Sequence, residues 1–370
     1  MNQPLLRTAL HDWHVAHGAR MVDFAGWSMP VQYSSIVTEH EATRQAATLF
    51  DISHMGRLRF DGADATAFLD RLLTRRVTDL EAGQIRYSLI TNEQGGILDD
   101  VLVYHLIDAD GTRFMWLVVN AGNREKIKNW IERQLDGAGD VTWRDETEQT
   151  AMVALQGPKA ITLATRILTE LTPADMPYYS GAVTNILNER AIVSRTGYTG
   201  EDGVEIILPS SSATELWESL LTAGQSAGLL AAGLGSRDTL RLEAAMPLYG
   251  HELDESINPY QASLHFAVNL KDRDFIGREA LVAALQHTGQ PRRIGLKLKG
   301  KRVARQHFSI TDGGQTIGEV TSGTFSPTLN CPIALGYVHP DFAKVGLSLT
   351  IDVRGRDELA EVVKLPFYKR

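Results

Sequence analysis

From Pro291 onward the chain reads as short apolar alternations punctuated by Gly300, Asp312-Gly313-Gly314, Gly318, Gly323 and Gly346, and no stretch carries a helical period. Short strands that recur this closely, parted by turn residues, mark an all-β segment. A separate all-β domain is therefore predicted over roughly the last 80 residues. Upstream, helix-period and strand-period segments alternate with no repeat and no low-complexity run, a mixed α+β pattern.

The clearest helices carry their own start signals. In Ser212-Ala-Thr-Glu215 a hydroxyl and a carboxylate three residues apart suit a capping box ahead of Leu216, Trp217, Leu220 and Leu221, and Gly224 permits the stop. A second helix is expected to open at Gly157-Pro158 and run through Ile161, Ala164, Ile167, Leu168 and Leu171; a third lies on Ile127, Trp130 and Ile131. Ile97 to Leu106 and Phe114 to Asn120 flank Asp108-Ala-Asp-Gly111 and predict a hairpin. Alternation puts Asp100, Leu102, Tyr104 and Leu106 on one face, and a turn centred near 109 and 110 sets Asn120 roughly opposite Asp100.

Length and charge narrow the function. The 370 residues are 43% hydrophobic and 22% charged, a globular balance with ample core for two or three domains. No window approaches the ~20 apolar residues of a membrane span, and the first 25 residues are broken by His, Asp and Arg, so a cytoplasmic protein without an export signal is expected. Forty-five acids against 37 bases give -8, which argues against gripping nucleic acid. Against that background Arg292, Arg293, Lys297, Lys299, Lys301, Arg302 and Arg305 stand together without an acid, either a solvated strand face or a docking patch for an acidic partner. The single cysteine, Cys331, lies in a turn-like Asn330-Cys-Pro332 stretch and reads as inert, consistent with a reducing compartment.

Several chemistries drop out for want of their residues. There is no HExxH, GxSxG or GxxxxGK[ST]. Gly233-Leu-Gly235-Ser-Arg-Asp238 is half a dinucleotide fingerprint, but it lacks the third glycine and a helix pattern precedes it. His11, His14 and His17 recur every three residues without a thiol or carboxylate cluster, so they read as an ordinary helix surface and no metal site is expected.

What remains is a set of polar residues where apolar ones are expected. Asp99 and Asp100 interrupt Ile97, Leu98, Val101, Leu102 and Val103; a carboxylate on a buried strand must be paired, hydrogen-bonded or protonated, which makes it a candidate acid or base. Asp99 alternatively caps backbone at the Gly95-Gly96 turn. Glu205 stands among Val204, Ile206, Ile207 and Leu208, after the glycine-rich run from Ser194 to Gly203, and a lone buried carboxylate can grip an amidine-like edge through two parallel hydrogen bonds. Arg237 and Arg241 lie one helical turn apart. One is expected to pair with Asp238 or Glu243, the other to fork onto a ligand carboxylate.

These residues, with Met21-Val-Asp-Phe-Ala-Gly-Trp27, Phe50-Asp-Ile-Ser-His-Met-Gly56, Gly95-Gly-Ile-Leu-Asp-Asp100, Val118-Val-Asn-Ala121, Leu155-Gln-Gly-Pro158, Gly233 to Glu243, Thr321 to Leu329 and Lys364-Leu-Pro-Phe-Tyr368, resemble the T-protein, or aminomethyltransferase, family of the glycine cleavage system along essentially the whole chain. The resemblance implies a three-domain cloverleaf around a central channel: two interleaved α+β domains, 1–55 with 119–165 and 230–285, and 56–118 with 166–229, plus a barrel or jelly-roll-like β domain at 286–370. It implies tetrahydrofolate as co-substrate, with Glu205 on the pterin, Arg237 on the glutamyl tail, Asp100 as catalytic carboxylate, Met55, Tyr87, Tyr104, Asn120 and Tyr198 lining the pocket, and Tyr368 at its rim. The implied reaction moves the aminomethyl carbon from the lipoyl arm of H-protein to tetrahydrofolate, giving 5,10-methylenetetrahydrofolate, ammonia and the dihydrolipoyl arm. Tyr260-Gln261 and Leu264-His265-Phe266 depart from the family pattern in the stretch that forms the channel wall. Related folds also serve a dimethylsulfoniopropionate-type sulfonium demethylase and non-catalytic folate-binding proteins, and fold alone does not choose among them.

Overall fold

The computed structural model describes residues 4–370. The chain divides into two compact units, one of residues up to 70 with 76–88 and 101–237, the other of 71–75, 89–100 and 238–370.

The first unit is organised around a six-stranded sheet in the order 181–186, 189–194, 203–209, 150–156, 47–51, 229–231, antiparallel throughout except for its last pair. The helix Ala213–Gly224 turns Ala213, Leu216, Trp217 and Leu220 inward, the spacing of one helical face, and the short helix Ala160–Ala164 adds Leu163. Against them pack Leu49, Val153, Leu155, Val193, Val204, Ile206 and Leu208. Because side chains alternate across a strand, Ser194, Gln156, Ile207 and Glu205 point to the opposite face. A second sheet pairs Gly56–Asp61 with Arg113–Val119 and Thr142–Asp145, and the helix Arg124–Gln134 buries Ile127, Trp130 and Ile131, as predicted. The hairpin strands are Ile97–Ile107 and Arg113–Val119, with Leu102 opposite Val118, the register the turn implied.

The second unit contains a closed six-stranded barrel in the order 292–298, 331–338, 315–326, 309–312, 348–352, 357–363. Ile294, Leu296, Ile310, Val320, Ala334, Leu349, Ile351 and Val362 fill it, the alternate residues of each strand. The all-β reading of this segment is therefore right, and the chain as a whole is α+β. Among the described residues no helix is long and apolar enough to cross a membrane.

Local expectations fail in five places. The Ser212 side chain makes no cap hydrogen bond; a 3-10 turn, Ser210–Ser212, leads into the helix instead, so Ser212 lacks the extended backbone a capping box needs. The helix after Pro158 lasts only Ala160–Ala164. His14 is fully buried instead of lying on a helix surface, because Asp51 and Tyr33 bond its two ring nitrogens at 2.9 and 2.8 Å. A strand, Leu229–Ala231, does precede Gly233; yet the Gly233 N–H is taken at 2.9 Å by the buried carboxylate of Glu39, which fills the place a phosphate would need. Cys331 opens a strand instead of lying in the turn, and burial pushes its thiol upward, in keeping with an inert residue.

Candidate active site

The face of the six-stranded sheet turned away from its helices gathers Glu205, Ser194 and Gln156. Glu205, 5% exposed, sits directly across from Ser194 in the ladder, and beyond Ser194 the chain turns through Thr196 into the glycine-rich loop. The Thr196 hydroxyl donates to Glu205 Oε2, and the Ser194 and Thr196 hydroxyls bond each other at 2.8 Å. Burial raises the Glu205 carboxyl, while the Thr196 hydrogen bond and the positive charge of Arg237 pull it back. Tyr104, on the strand Ile97–Ile107, is fully buried beside the Ser194 and Thr196 hydroxyls; burial first, then the charge of Glu205, raises that phenol, and the two hydroxyls pull it back. Arg237 stands in the first turns of the helix Leu234–Glu243, its guanidinium carbon 4.8 Å from the Tyr198 ring centroid, and its buried Nη1 has no partner. Burial lowers this guanidinium and Glu205 raises it. One carboxylate oxygen and one guanidinium nitrogen thus lack a partner within the protein, a pattern suited chemically to a molecule with donors at one end and a carboxylate at the other.

The loop that presents Tyr198 is clamped by protein. Gln156 donates from Nε2 to the Thr196 carbonyl at 3.1 Å and accepts from the Thr199 hydroxyl at 2.9 Å. A Cβ on Gly197 or Gly203 would collide with the Gln156 side chain. Those two glycines therefore serve close packing of the loop on Gln156 and not close approach to a ligand; Gly200, at φ +81°, makes the turn. Arg44 completes the clamp on the Thr199 carbonyl and the Glu201 carboxylate, at 2.8 and 2.9 Å.

Arg241 is the internally paired arginine, held by Asp238 and Glu252 at 2.8 Å each and by the Ser322 hydroxyl. Glu243 instead accepts from Ser326 and Thr328, 2.5 and 2.7 Å. Of the other sequence candidates in the first unit, Met55, Tyr87 and Asn120 are half-buried, Met55 on the turn after Ala47–Asp51, Tyr87 within Ile85–Thr91, and Asn120 at the end of Arg113–Val119.

Asp100 belongs to the second unit, half-buried beside the fully buried Asp99. The backbone N–H groups of Gln94 and Gly96, at the turn before the strand Ile97–Ile107, are capped by Asn92 Oδ1. The Tyr249 hydroxyl donates to the Ile97 carbonyl at 3.1 Å; burial raises that phenol, and the charges of Glu255, Asp99, Asp254 and Asp100 raise it further. Tyr368, also in this unit, is half-buried and hydrogen-bonds through its N–H to the Glu243 carbonyl. Thr196, His54 and Tyr249 were not anticipated. A hydroxyl inside a glycine-rich run reads as turn chemistry, and nothing local marks its partner across the sheet.

Residues 10–272 match the family model of the GCVT N-terminal domain, and 292–369 that of the glycine cleavage T-protein C-terminal barrel domain. The chain is 44% identical to an aminomethyltransferase of Symbiobacterium thermophilum, covering 100% of this chain and 99% of that protein, and 44% identical to one of Synechococcus elongatus over 99% and 96%. A crystal structure of the glycine cleavage system aminomethyltransferase T from Bartonella henselae superposes with a TM-score of 0.91 at 35% identity, covering 99% of this chain and 98% of that one. With the barrel, the glycine-rich loop and the Glu205–Arg237 pair in hand, the chain belongs to the glycine cleavage T-protein, or aminomethyltransferase, family.

Proposed function

We propose that the protein transfers the one-carbon unit of an aminomethyl group, carried on the lipoyl arm of H-protein, to tetrahydrofolate, releasing ammonia and the dihydrolipoyl arm. The observation that carries this reading is the pairing, in one unit, of a buried carboxylate with an oxygen to spare and a buried guanidinium with an unpartnered nitrogen. A pterin edge supplies two N–H donors, one to the spare Oε1 of Glu205 and one to the second lone pair of the Oε2 that Thr196 holds, and a glutamyl carboxylate suits Arg237 beside Tyr198. Charged hydrogen bonds of this kind contribute about 1.5–3 kcal/mol each, enough to favour folate over a ligand that lacks either end. Tyr104, Asn120, Tyr87 and Met55 complete the proposed pocket, Tyr368 its rim, and the three-domain partition at 286–370 and upstream belongs to the same proposal.

In this mechanism Asp100 supports the folate amine as nucleophile and stabilises positive charge as ammonia leaves. Asp100→Asn keeps the shape and removes the charge, so folate binding should persist while turnover falls by ~100-fold or more. The assay is ammonia release from aminomethylated H-protein and tetrahydrofolate, with a methyl sulfonium in parallel. Near-normal turnover of the Asn variant removes Asp100 from the mechanism. Methyltetrahydrofolate from the sulfonium alone, or folate affinity with neither product, replaces the transferase assignment by demethylase or binding protein respectively.

A further inference from the structure

Glu205 must be ionised, and correctly turned, to accept two N–H donors, yet it lies in a place that opposes both. It is buried on the polar face of the sheet, with the neutral Tyr104 phenol facing it from the strand Ile97–Ile107 and Tyr179 beside that phenol. Arg237, from the helix Leu234–Glu243, is the cation that acts on it, and Ala154 lies opposite it on the neighbouring strand. The Thr196 hydroxyl makes a direct hydrogen bond to the carboxylate from the loop that follows the strand 189–194. An ionised carboxylate can only accept, so Thr196 is the donor there, and its own lone pair takes the Ser194 hydroxyl at 2.8 Å. The Thr196 carbonyl is itself pinned by Gln156 Nε2 at 3.1 Å, so this hydroxyl is delivered by a fixed backbone.

We propose that Thr196 is a positioning residue for folate recognition: it fixes the Glu205 carboxylate in its charged form with Oε1 turned to the ligand, and thereby sets the lower pH limit of tetrahydrofolate binding. This rests on the folate reading above. The direction follows from the chemistry. Without the Thr196 donor the charged form of Glu205 loses a hydrogen bond, its carboxyl climbs further, and at a given pH less of the protein holds the anion that grips the pterin.

The test compares Thr196→Val, which keeps the shape and removes the hydroxyl, with Thr196→Ser, which restores it, in the intact chain. Affinity for tetrahydrofolate is measured by calorimetry across about pH 5.5 to 8.5, together with KM. For Thr196→Val the affinity should fall roughly tenfold near neutrality, and the acid limb of the profile should move to higher pH. The KM for tetrahydrofolate should rise by more than kcat falls, and Thr196→Ser should recover most of both. A Val variant with wild-type affinity and an unmoved acid limb overturns the inference, as does a uniform loss at every pH that Ser does not rescue. The folate reading fails separately, if the unaltered protein shows no tetrahydrofolate binding or if Glu205→Gln binds it as tightly. If the Val variant misfolds by circular dichroism, Ser194→Ala decides: removing the donor to Thr196 should move the acid limb the same way by a smaller amount, and an unmoved limb counts against the proposal.

Discussion

His54 shows how far a single buried residue can tie stability to pH. It is 2% exposed, its Nδ1 has no hydrogen-bond partner, and its ring meets Phe24 edge-on at 5.4 Å. Burial, opposed by Asp51 and reinforced by Arg237 and Arg57, pushes its pKa down to about 3. A base whose folded pKa is depressed contributes stability that is complete above the unfolded value of about 6.5 and is lost as pH falls toward the folded one. Asp51 acts later. Although burial opposes it, the hydrogen bond and charge of His14, with help from Ser53 and Thr8, hold it to about 2, so its contribution fades only between about pH 4 and pH 2. Melting temperature should therefore decline from about pH 6.5 downward, and His54→Gln should flatten that decline above about pH 4 while lowering stability at neutrality. An unchanged slope in the variant would mean that His54 titrates alike in the folded and unfolded chain.

At the scale of elements, the connection between the strand Thr150–Gln156 and the helix Ala160–Ala164 is a tight point in the first unit. Gly157 sits at φ +133°, donates its N–H to the Asp202 carbonyl at 2.8 Å, and leaves a Cβ no room: it would lie 2.6 Å from the Ala46 carbonyl oxygen and 2.7 Å from Ala47 Cα. Both obstacles are backbone, so neither can rotate away. Gly157→Ala should cost on the order of 3 kcal/mol, read as a shift of the urea midpoint at unchanged slope. A midpoint within experimental scatter of the parent would show that the turn relaxes. The elements legible beforehand were those with a strong period of their own: the 124–134 helix, whose three named apolar residues are buried, and the hairpin, whose register followed from its turn. The Ser212 cap and the long helix after Pro158 failed because neighbouring turns, and not local propensity, fixed where those helices begin and end.

Over the molecule as a whole the charge is uneven: a chain of net charge -8 carries an acid-free basic run at 292–305. In the barrel Arg302 pairs with Glu358, while Arg292, Lys297, Lys299, Lys301 and Arg305 are exposed. An acidic carrier or a polyglutamylated folate would be attracted by such a face. Reversing Lys299 and Lys301 to Glu should raise the KM for one of the two by several-fold at low salt and little at high salt. A KM unaffected at low ionic strength would identify the run as a solvated strand face only.

Composition, periodicity and turn residues determined the α+β class, the all-β character of the C-terminal segment and most element types, because those depend on patterns a few residues long. The motifs also singled out Glu205, Arg237 and Asp100 as candidates. Only the tertiary structure decided that Arg241 is consumed by Asp238 and Glu252 while Arg237 keeps an unpartnered nitrogen, that His14 is buried on Asp51, and that Thr196 reaches the carboxylate of Glu205. Apart from the one-turn Arg241–Asp238 contact, those pairings are set by packing between residues apart in sequence, and hydrogen-bonding capacity becomes decisive only once burial has removed water as the alternative partner.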